Sequence, residues 1–309
     1  MMTCERRLFD RFCLIAVILY PMMLWKRETV TCMSFMIINV CCGSTVLQKE
    51  RFPQGMDSCG QRILHSTTSN YYGMAITRNN VIDKRIVGGR VSSDGAWPWQ
   101  VALMLDDVQV CAGSIIRPNW VLTACHCFTE SKEFQQVRGV KNIIVHPKYW
   151  GKTVQGVLIQ PPDYDVALLE LSSPVTYNSF VRPICLPVNG LVFPPGKICY
   201  VTGWGSKGWD KPPSEFLQEA PVRLVSRTEC NKKKSYDGTV PKTALCAGYK
   251  DGGIDACQKD SGGPLACEYD GQWYLVGVIS WGKHCAVPNK YGVYADVRVL
   301  NSWITGVVQ

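Results

Sequence analysis

The chain has 309 residues, of which 46% are hydrophobic, enough apolar material for one large folded domain or two small ones. The formal net charge of +8 is uneven, since residues 1–85 carry eleven Lys and Arg against six Asp and Glu, whereas residues 86–309 carry 22 against 19. The only basic run, at 232–234, is typical of a solvated loop, so the charge pattern argues against a nucleic-acid-binding protein.

The N-terminal region has the pattern of an export signal. Arg6, Arg7 and Arg11 precede an apolar run at 12–25, whose length suits a signal-peptide core and is short for a membrane span. A second apolar stretch at 32–40 follows without a clean small-residue cleavage site, so an uncleaved anchor is the alternative. We expect residues 1–47 to be a signal peptide or signal anchor, and the protein to be secreted or, if anchored, a single-pass protein whose main domain is extracellular.

The next segment and the cysteines agree with export. Residues 48–85 mix Gly, Ser, Thr, Asn and basic residues without a period, which predicts a linker or pro-segment. Sixteen cysteines, ten of them after residue 86, lack metal-binding spacings, so disulfides in an oxidising compartment explain them better. A zinc or redox protein built on the CHC at 125–127 would need further spaced ligands, which the chain does not offer. We therefore expect no metal and no cofactor.

From residue 86 onward, short β-rich runs alternate with turns. Seven runs stand out, at 99–105, 121–124, 143–145, 166–171, 222–225, 273–281 and 292–297. Their number and their Gly/Pro punctuation predict an all-β barrel or sandwich over 86–309. At the C-terminus, Leu300, Trp303, Ile304 and Val307 have the spacing of an amphipathic helix that can dock on it.

The stretch DACQKDSGGPL at 255–265 contains a serine with the surroundings of a nucleophile. Ser261 follows an aspartate and precedes two glycines, which let the backbone approach a ligand. A serine hydroxyl needs a base, and the base needs a third group to orient it. His126 follows an apolar strand and Asp165 precedes another, although each on its own could be a structural histidine or a strand cap.

Seven motifs then occur in a fixed order. They are RIVGG at 85–89, WVLTACHC at 120–127, DVALL at 165–169, GWG at 203–205, CAGY at 246–249, KDSGGPL at 259–265 and SWG at 280–282. From Arg85 to the C-terminus, the chain thus resembles the trypsin-like serine proteases of the chymotrypsin fold. The resemblance implies two six-stranded antiparallel barrels with the active site between them and a C-terminal helix. It also implies a serine endopeptidase zymogen that hydrolyses protein or peptide substrates through an acyl-enzyme.

The resemblance assigns roles to individual residues. Ser261 would be the nucleophile, His126 the general base and then general acid, and Asp165 the group that orients the imidazole. The backbone N–H groups of Lys259 and Ser261 would form the oxyanion hole.

Substrate recognition is implied in the same way. Asp255 would lie at the base of the primary pocket and select Arg or Lys side chains, with Gly282 and Gly292 as walls that leave room for them. The edge strand at Ser280, Trp281 and Gly282 would pair with the substrate backbone.

Activation is implied by the KRIVGG sequence at 84–89. A cut after Arg85 by a protease that prefers basic residues would free the amine of Ile86, which in this family pairs with the carboxylate of Asp260. Protein inhibitors are a further class of expected partner, and a membrane would be a partner only through the N-terminal anchor.

The resemblance also implies a set of disulfide partners. The pairs are Cys111–Cys127, Cys199–Cys267, Cys230–Cys246, Cys257–Cys285 and, joining the pro-segment to the domain, Cys59–Cys185. Cys125 is left over as a buried free thiol.

Two departures from the family pattern affect the expected activity. Lys259 stands where the family has glycine, so either the backbone cannot hold its geometry and an oxyanion donor is lost, or it holds and the side chain crowds the site. We expect the second outcome. His126 and Asp165 are only 39 positions apart, so we expect a shortened first barrel without the family's calcium loop, although the stretch 150–162 is longer than usual. The alternative function is therefore a catalytically impaired, protease-like binding or regulatory protein.

Overall fold

A computed structural model describes residues 58–62, 87–105, 108–128, 139–154, 157–188, 190–206, 208 and 212–309, and the backbone of residues 15–19. Its strands are β1 (Ile15–Leu19), β2 (Arg90–Val91), β3 (Gln100–Leu105), β4 (Val108–Arg117), β5 (Trp120–Thr123), β6 (Val140–Val145), β7 (Trp150–Val154), β8 (Val157–Asp163), β9 (Ala167–Leu171), β10 (Ile198–Gly203), β11 (Gln218–Val225), β12 (Ala244–Ala247), β13 (Pro264–Tyr269), β14 (Gln272–Trp281) and β15 (Gly292–Asp296). Its helices are α1 (Arg227–Cys230) and α2 (Val297–Val307).

The first sheet is antiparallel and open. Its strand order is β1-β3-β4-β5-β9-β6, so β1 and β6 form its two edges. Strand β1 comes from the N-terminal apolar run and pairs with β3, with Ile15 opposite Leu105 and Leu19 opposite Val101. Within the described residues, the region after residue 86 thus contributes five strands to this sheet rather than the six of a full barrel.

The second sheet closes on itself. The order β10-β13-β14-β15-β12-β11 returns to β10, because β10 pairs with both β13 and β11, and β2 adds to the outer edge of β11. Strand β14 is buried from Leu275 to Ser280 and β15 throughout, as expected for strands whose side chains face a core on both surfaces. Closure leaves no free edge within this six-stranded ring.

The long stretch before Asp165 forms a separate hairpin. Strands β7 and β8 pair with each other as a two-stranded antiparallel sheet. The additional residues at 150–162 therefore form a hairpin of their own and do not complete the first sheet.

Helix α2 ends the chain as its spacing predicts. The Asp296 side chain caps its first turn, and Leu300 and Ile304 are buried against the barrel. Trp303 lies on the ring of His146, with 4.6 Å between centroids, which ties the helix to the segment after β6.

The prediction of an all-β fold with a C-terminal helix is confirmed: three of the seven predicted runs fall within strands, and the other four overlap a strand and extend one residue beyond it. Of the two expected barrels, the second is a closed six-stranded antiparallel barrel, whereas the first remains an open sheet in the described part of the chain. The physical reason is that only 38 residues lie between His126 and Asp165, and those of them that the structure describes form β6 and the β7–β8 hairpin and no further strand that joins β6 back to β3. None of the helices in the described residues is both long enough and apolar enough to span a bilayer.

Candidate active site

His126 and Asp165 lie together because of the register of two adjacent strands. The last residue of β5, Thr123, pairs with the first residue of β9, Ala167. Since the strands are antiparallel, the chain leaving β5 and the chain entering β9 emerge at the same end of the sheet. His126 sits in the short 3₁₀ turn at Cys125–Phe128 that follows β5.

The Asp165 carboxylate is buried and holds His126 through two contacts. Its Oδ2 lies 2.6 Å from His126 Nδ1, and its Oδ1 accepts the backbone N–H of His126 at 2.9 Å. The Ser280 hydroxyl donates to the same Oδ2 at 2.5 Å. Burial would raise the pKa of Asp165, but the His126 charge and these hydrogen bonds outweigh it, so the pKa lies below its usual value. Such a carboxylate stays ionised and can orient an imidazole.

Ser261 is fixed between the two sheets. Its carbonyl accepts the N–H of Ala112 from β4, while the N–H of the next residue, Gly262, donates to Ile279 of β14, both at 2.8 Å. Gly262 has φ +82°, and a Cβ there would lie 2.1 Å from the Thr123 hydroxyl, so glycine is required for this close approach. Ser261 itself stays partly exposed at the mouth of a cavity.

Lys259 adopts a backbone conformation that favours glycine, with φ +72°. The peptide unit before it is held by the N–H of Ser206, which donates to the Gln258 carbonyl at 2.8 Å. The following carbonyl, that of Lys259, accepts the Gln109 side-chain amide at 3.1 Å. Because the C=O and N–H of a trans peptide point in opposite directions, the Lys259 N–H is directed away from Ser206.

A cavity of about 170 Å³ opens beside Ser261. The residues expected to recognise the substrate all line it, namely Asp255, Ser280, Trp281, Gly282 and Gly292. Asp255 is only 4% exposed, and its Oδ1 makes no hydrogen bond within the described residues, while its Oδ2 accepts the N–H of Ala286 at 3.2 Å. Burial raises the pKa of this carboxyl to about 7. The cavity therefore presents a buried acidic oxygen without a partner, which suits a cationic ligand.

Gly292 leaves space directly above this carboxyl group. A Cβ at Gly292 would lie 2.7 Å from Asp255 Oδ1, whereas one at Gly282 would approach no atom closer than 3.5 Å. Any side chain at Gly292 would thus cover the Asp255 carboxylate. Glycine is therefore required more strictly at position 292 than at position 282.

Asp260 is fully buried behind the cavity. The N–H groups of Cys257 and Gly205 donate to its two oxygens at 3.0 and 2.8 Å, and burial raises the pKa of this carboxyl to about 7. Side chains at either glycine of the GWG motif are excluded, since a Cβ at Gly203 or Gly205 would lie 2.1 or 2.4 Å from the carboxyl group. The expected activation residues Arg85 and Ile86 lie outside the described residues. Their neighbour Val87 bridges to Asp255, and its carbonyl accepts the Asp255 N–H at 3.2 Å.

The described part of the chain contains five disulfides, between the same partners that the family resemblance implies. They are Cys59–Cys185, Cys111–Cys127, Cys199–Cys267, Cys230–Cys246 and Cys257–Cys285. Cys125 is free and buried, and burial raises the pKa of its thiol to about 12. The ligand atoms of Cys111, His126 and Cys127 lie within 4.8 Å of one another, but the two sulfurs are bonded together and are not thiolates that could bind a metal.

Three contacts at the site were not predicted from the sequence. Gln109 and Ser206 hold the peptide units on either side of Lys259, and the Ser280 hydroxyl binds Asp165, although only a role in substrate binding was expected for Ser280. No sequence motif marks Gln109, which lies 150 positions from its partner. Ser206 directly follows the GWG motif at 203–205, so that motif is the sequence feature that could have indicated a role for Ser206.

One comparison with known proteins bears on this site. The family model named Trypsin matches residues 86–304, a range that includes His126, Asp165, Ser261 and the residues that line the cavity. This confirms the resemblance seen in the sequence: the chain belongs to the trypsin family of serine proteases.

Proposed function

We propose that the protein is a serine endopeptidase that cleaves after Arg or Lys and is made as a zymogen. The observation that carries the specificity is the buried Asp255 oxygen without a partner at the base of the cavity that opens beside Ser261. A guanidinium or ammonium group supplies the charge and hydrogen bonds that this oxygen lacks. An uncharged side chain would leave the carboxyl group buried and unpaired.

The proposed reaction uses three side chains. Ser261 Oγ attacks the substrate carbonyl carbon while His126 takes the hydroxyl proton, and Asp165 stabilises the imidazolium that forms. The C–N bond then breaks as His126 gives its proton to the leaving amine, which leaves an ester on Ser261. Water repeats the sequence, and the acid product leaves with Ser261 restored.

The oxyanion is proposed to bind the backbone N–H groups of Lys259 and Ser261. The contact from Ser206 to the Gln258 carbonyl supports this, because it directs the Lys259 N–H away from the 203–206 loop. The lysine side chain, on this proposal, crowds bulky protein substrates more than small ones.

Activation is proposed to follow a cut after Arg85 by another protease that prefers basic residues. The buried Asp260 carboxyl, whose pKa of about 7 reflects its burial, is stabilised as an anion if the new Ile86 ammonium group reaches it. The bridge from Val87 to Asp255 supports this, since it holds the residue after Ile86 beside the specificity cavity. The uncut chain would then have little activity.

The second candidate is a protease-like binding or regulatory protein with impaired catalysis. The left-handed backbone of Lys259 and the open first sheet are the observations that favour it. Both are sources of strain or mobility close to the reacting atoms.

The domain organisation and location are also proposals. Residues 1–47 direct export as a signal peptide or anchor, 48–85 form the pro-segment, and 86–309 form the protease domain. Five disulfides are consistent with an extracellular protein, either secreted or held at the cell surface. Its partners would be basic protein substrates, the activating protease and protein inhibitors.

Turnover of a small arginine ester after cleavage at Arg85 tests the main proposal. The same preparation of Ser261→Ala is the matched control, and an uncut sample shows the effect of activation. Turnover that needs both Ser261 and the cut supports the zymogen protease. A folded, cut protein with no turnover that depends on Ser261 would establish the impaired alternative instead.

A further inference from the structure

Two tryptophan rings lie against the guanidinium of Arg62, three residues after the cysteine that links the pro-segment to the domain. The guanidinium carbon lies 4.3 Å from the centroid of the Trp97 ring and 4.9 Å from that of Trp273. These two rings meet edge to face at 5.0 Å, and Tyr200 packs on both, at 5.5 Å from Trp97 and 5.8 Å from Trp273. We call Trp97, Trp273 and Tyr200 the aromatic cage. Trp and Tyr faces in this arrangement attract a planar cation.

The backbone around the cysteine fits the domain as well. The Gly60 N–H donates to the Pro183 carbonyl at 2.8 Å, and the Gly60 carbonyl accepts the Trp273 N–H at 3.0 Å. The Gln272 side-chain amide donates to the Cys59 carbonyl at 3.0 Å. Gly60 has φ +67°, and a Cβ there would lie 2.3 Å from the Trp273 oxygen, so the segment matches this surface in shape.

The cage also borders a buried acidic group. The Trp97 indole N–H donates to Glu219 at 2.8 Å, and the same carboxylate accepts Arg90 Nε at 2.7 Å. Burial lowers the pKa of Arg62, while the Glu219 charge opposes that shift, and a guanidinium stays protonated in either case. The Arg62 charge thus lies near one carboxylate that also binds Arg90 of β2.

From these contacts we propose that the aromatic cage is an arginine-binding site whose ligand is Arg62 of the pro-segment, and that it attaches the pro-segment to the protease domain independently of the Cys59–Cys185 disulfide. This rests on the proposed function in one respect, since activation cleavage turns the pro-segment into a separate chain. The Cys59–Cys185 disulfide, the pairing of β1 with β3 and the aromatic cage then all hold that chain, and only the first is covalent. Reduction of the disulfide alone does not release it.

The experiment removes the Cys59–Cys185 disulfide and measures how tightly the N-terminal fragment binds the domain without it. The full-length chain carries Ser261→Ala, Cys59→Ser and Cys185→Ser, and residues 81–85 are replaced by the recognition sequence of an added protease that cuts before residue 86. After the cut, the dissociation constant of the N-terminal fragment is measured by fluorescence anisotropy with a label at its N-terminus. Neither turnover nor natural activation is needed.

The expected result is binding that weakens on the order of tenfold or more in Arg62→Ala, because a desolvated cation over an aromatic ring is lost. Arg62→Lys is expected to lie between the two, since it keeps the charge but loses the planar group. Arg78→Ala removes the same charge from the same fragment and is the matched control. Trp273→Leu opens the cage from the domain side and is expected to weaken binding as Arg62→Ala does.

Equal binding by Arg62→Ala and the intact fragment would overturn the proposal, as would equal losses in Arg62→Ala and Arg78→Ala. Undetectable binding of the intact fragment at millimolar concentration would overturn it too. Each variant is first melted before the cut, and Arg62→Lys and Trp273→Phe replace any variant that does not unfold cooperatively. Failure here leaves the proposed proteolysis standing, and absence of turnover in the Ser261 enzyme leaves this attachment standing.

Discussion

Substitution of Lys259 by glycine separates the two explanations of how this residue affects activity. The Lys259 backbone is in the left-handed region at φ +72°, where a residue with a Cβ costs about 1–2 kcal/mol. Glycine removes that cost but gives the unfolded chain more freedom, which offsets about 0.5–1 kcal/mol. The free energy of unfolding of Lys259→Gly is therefore expected to rise by about 1 kcal/mol or less.

The effect on turnover follows from the peptide units on either side. The contacts from Ser206 and Gln109 are made to backbone oxygens, so both remain available in Lys259→Gly. The N–H direction is then unchanged, and kcat for a small arginine ester is expected to stay within about threefold of the native value. Binding of a bulky protein inhibitor is expected to improve at least about fivefold, as relief of crowding by a long side chain.

The assay compares the two cut enzymes on one ester and one protein inhibitor, with urea denaturation for stability. Ser206→Pro, which removes the N–H that holds the Gln258 carbonyl, is the variant expected to lose the oxyanion donor and about 10²–10³ in kcat. A rise of 100-fold or more in kcat for Lys259→Gly on the ester would refute the reasoning. It would show that the native peptide does not present its N–H to the reacting carbonyl.

Three further predictions concern the other buried groups. Asp255→Asn is expected to lower kcat/KM for arginine esters about 30-fold or more, because it removes the buried charge partner, and steady-state kinetics on one ester check this. Binding of benzamidine by the native protein is expected to strengthen as the pH rises through about 7, where the Asp255 carboxyl ionises, and inhibition constants at several pH values check this. Asp255 and Asp260 both have a folded pKa of about 7 and an unfolded one near 4, so the folded chain binds extra protons between these values, and each carboxyl is expected to lower the free energy of unfolding of uncut Ser261→Ala by up to about 4 kcal/mol from pH 4 to 7. Cutting after Arg85 is expected to flatten this slope, and an equally steep slope in urea titrations of the cut form would contradict the pairing with Ile86. Replacement of Cys111 and Cys127 by serine is expected to cost about 3 kcal/mol in calorimetry, as for a loop of about fifteen residues, and an unchanged melt would count against it.

The sequence predicted the side chains of the candidate site well because their positions follow from strand order. His126 leaves one strand and Asp165 enters its neighbour, so two local motifs are enough to place them at the same end of a sheet. Asp255 and Ser261 belong to one short stretch, DACQKDSGGPL at 255–265, so a single family motif was enough to predict both residues together. The seven predicted strands are the apolar runs whose pattern is visible without knowledge of their partners.

What the sequence did not show depends on contacts between distant segments. Gln109 reaches Lys259 only because β4 passes beside the 258–260 turn. Arg62 contacts the aromatic cage only because β14, far later in the chain, places Trp273 beside it. The left-handed conformation of Lys259 contradicts its local preference and is held by such contacts. The pairing of β1 with β3 joins residues more than eighty positions apart, and no local pattern specifies that partner.

The two halves of the candidate site belong to sheets that we expect to differ in local stability, because the first sheet is open and the second is a closed barrel. His126 and Asp165 are carried by β5 and β9 of the open sheet, whereas Ser261, Asp255 and Asp260 belong to segments attached to the closed barrel. Strand β6, an edge of the first sheet, is the neighbour of β9, and sheet edges open at lower free energy than a continuous ring, so we expect amide hydrogens of the first sheet to exchange with solvent sooner than those of the second. On warming, we expect His126 to separate from Ser261 before the cavity beside Asp255 unfolds. For the proposed protease, thermal inactivation is then expected to be a local opening event, and an arginine-like ligand is expected to occupy the cavity of molecules that no longer turn over.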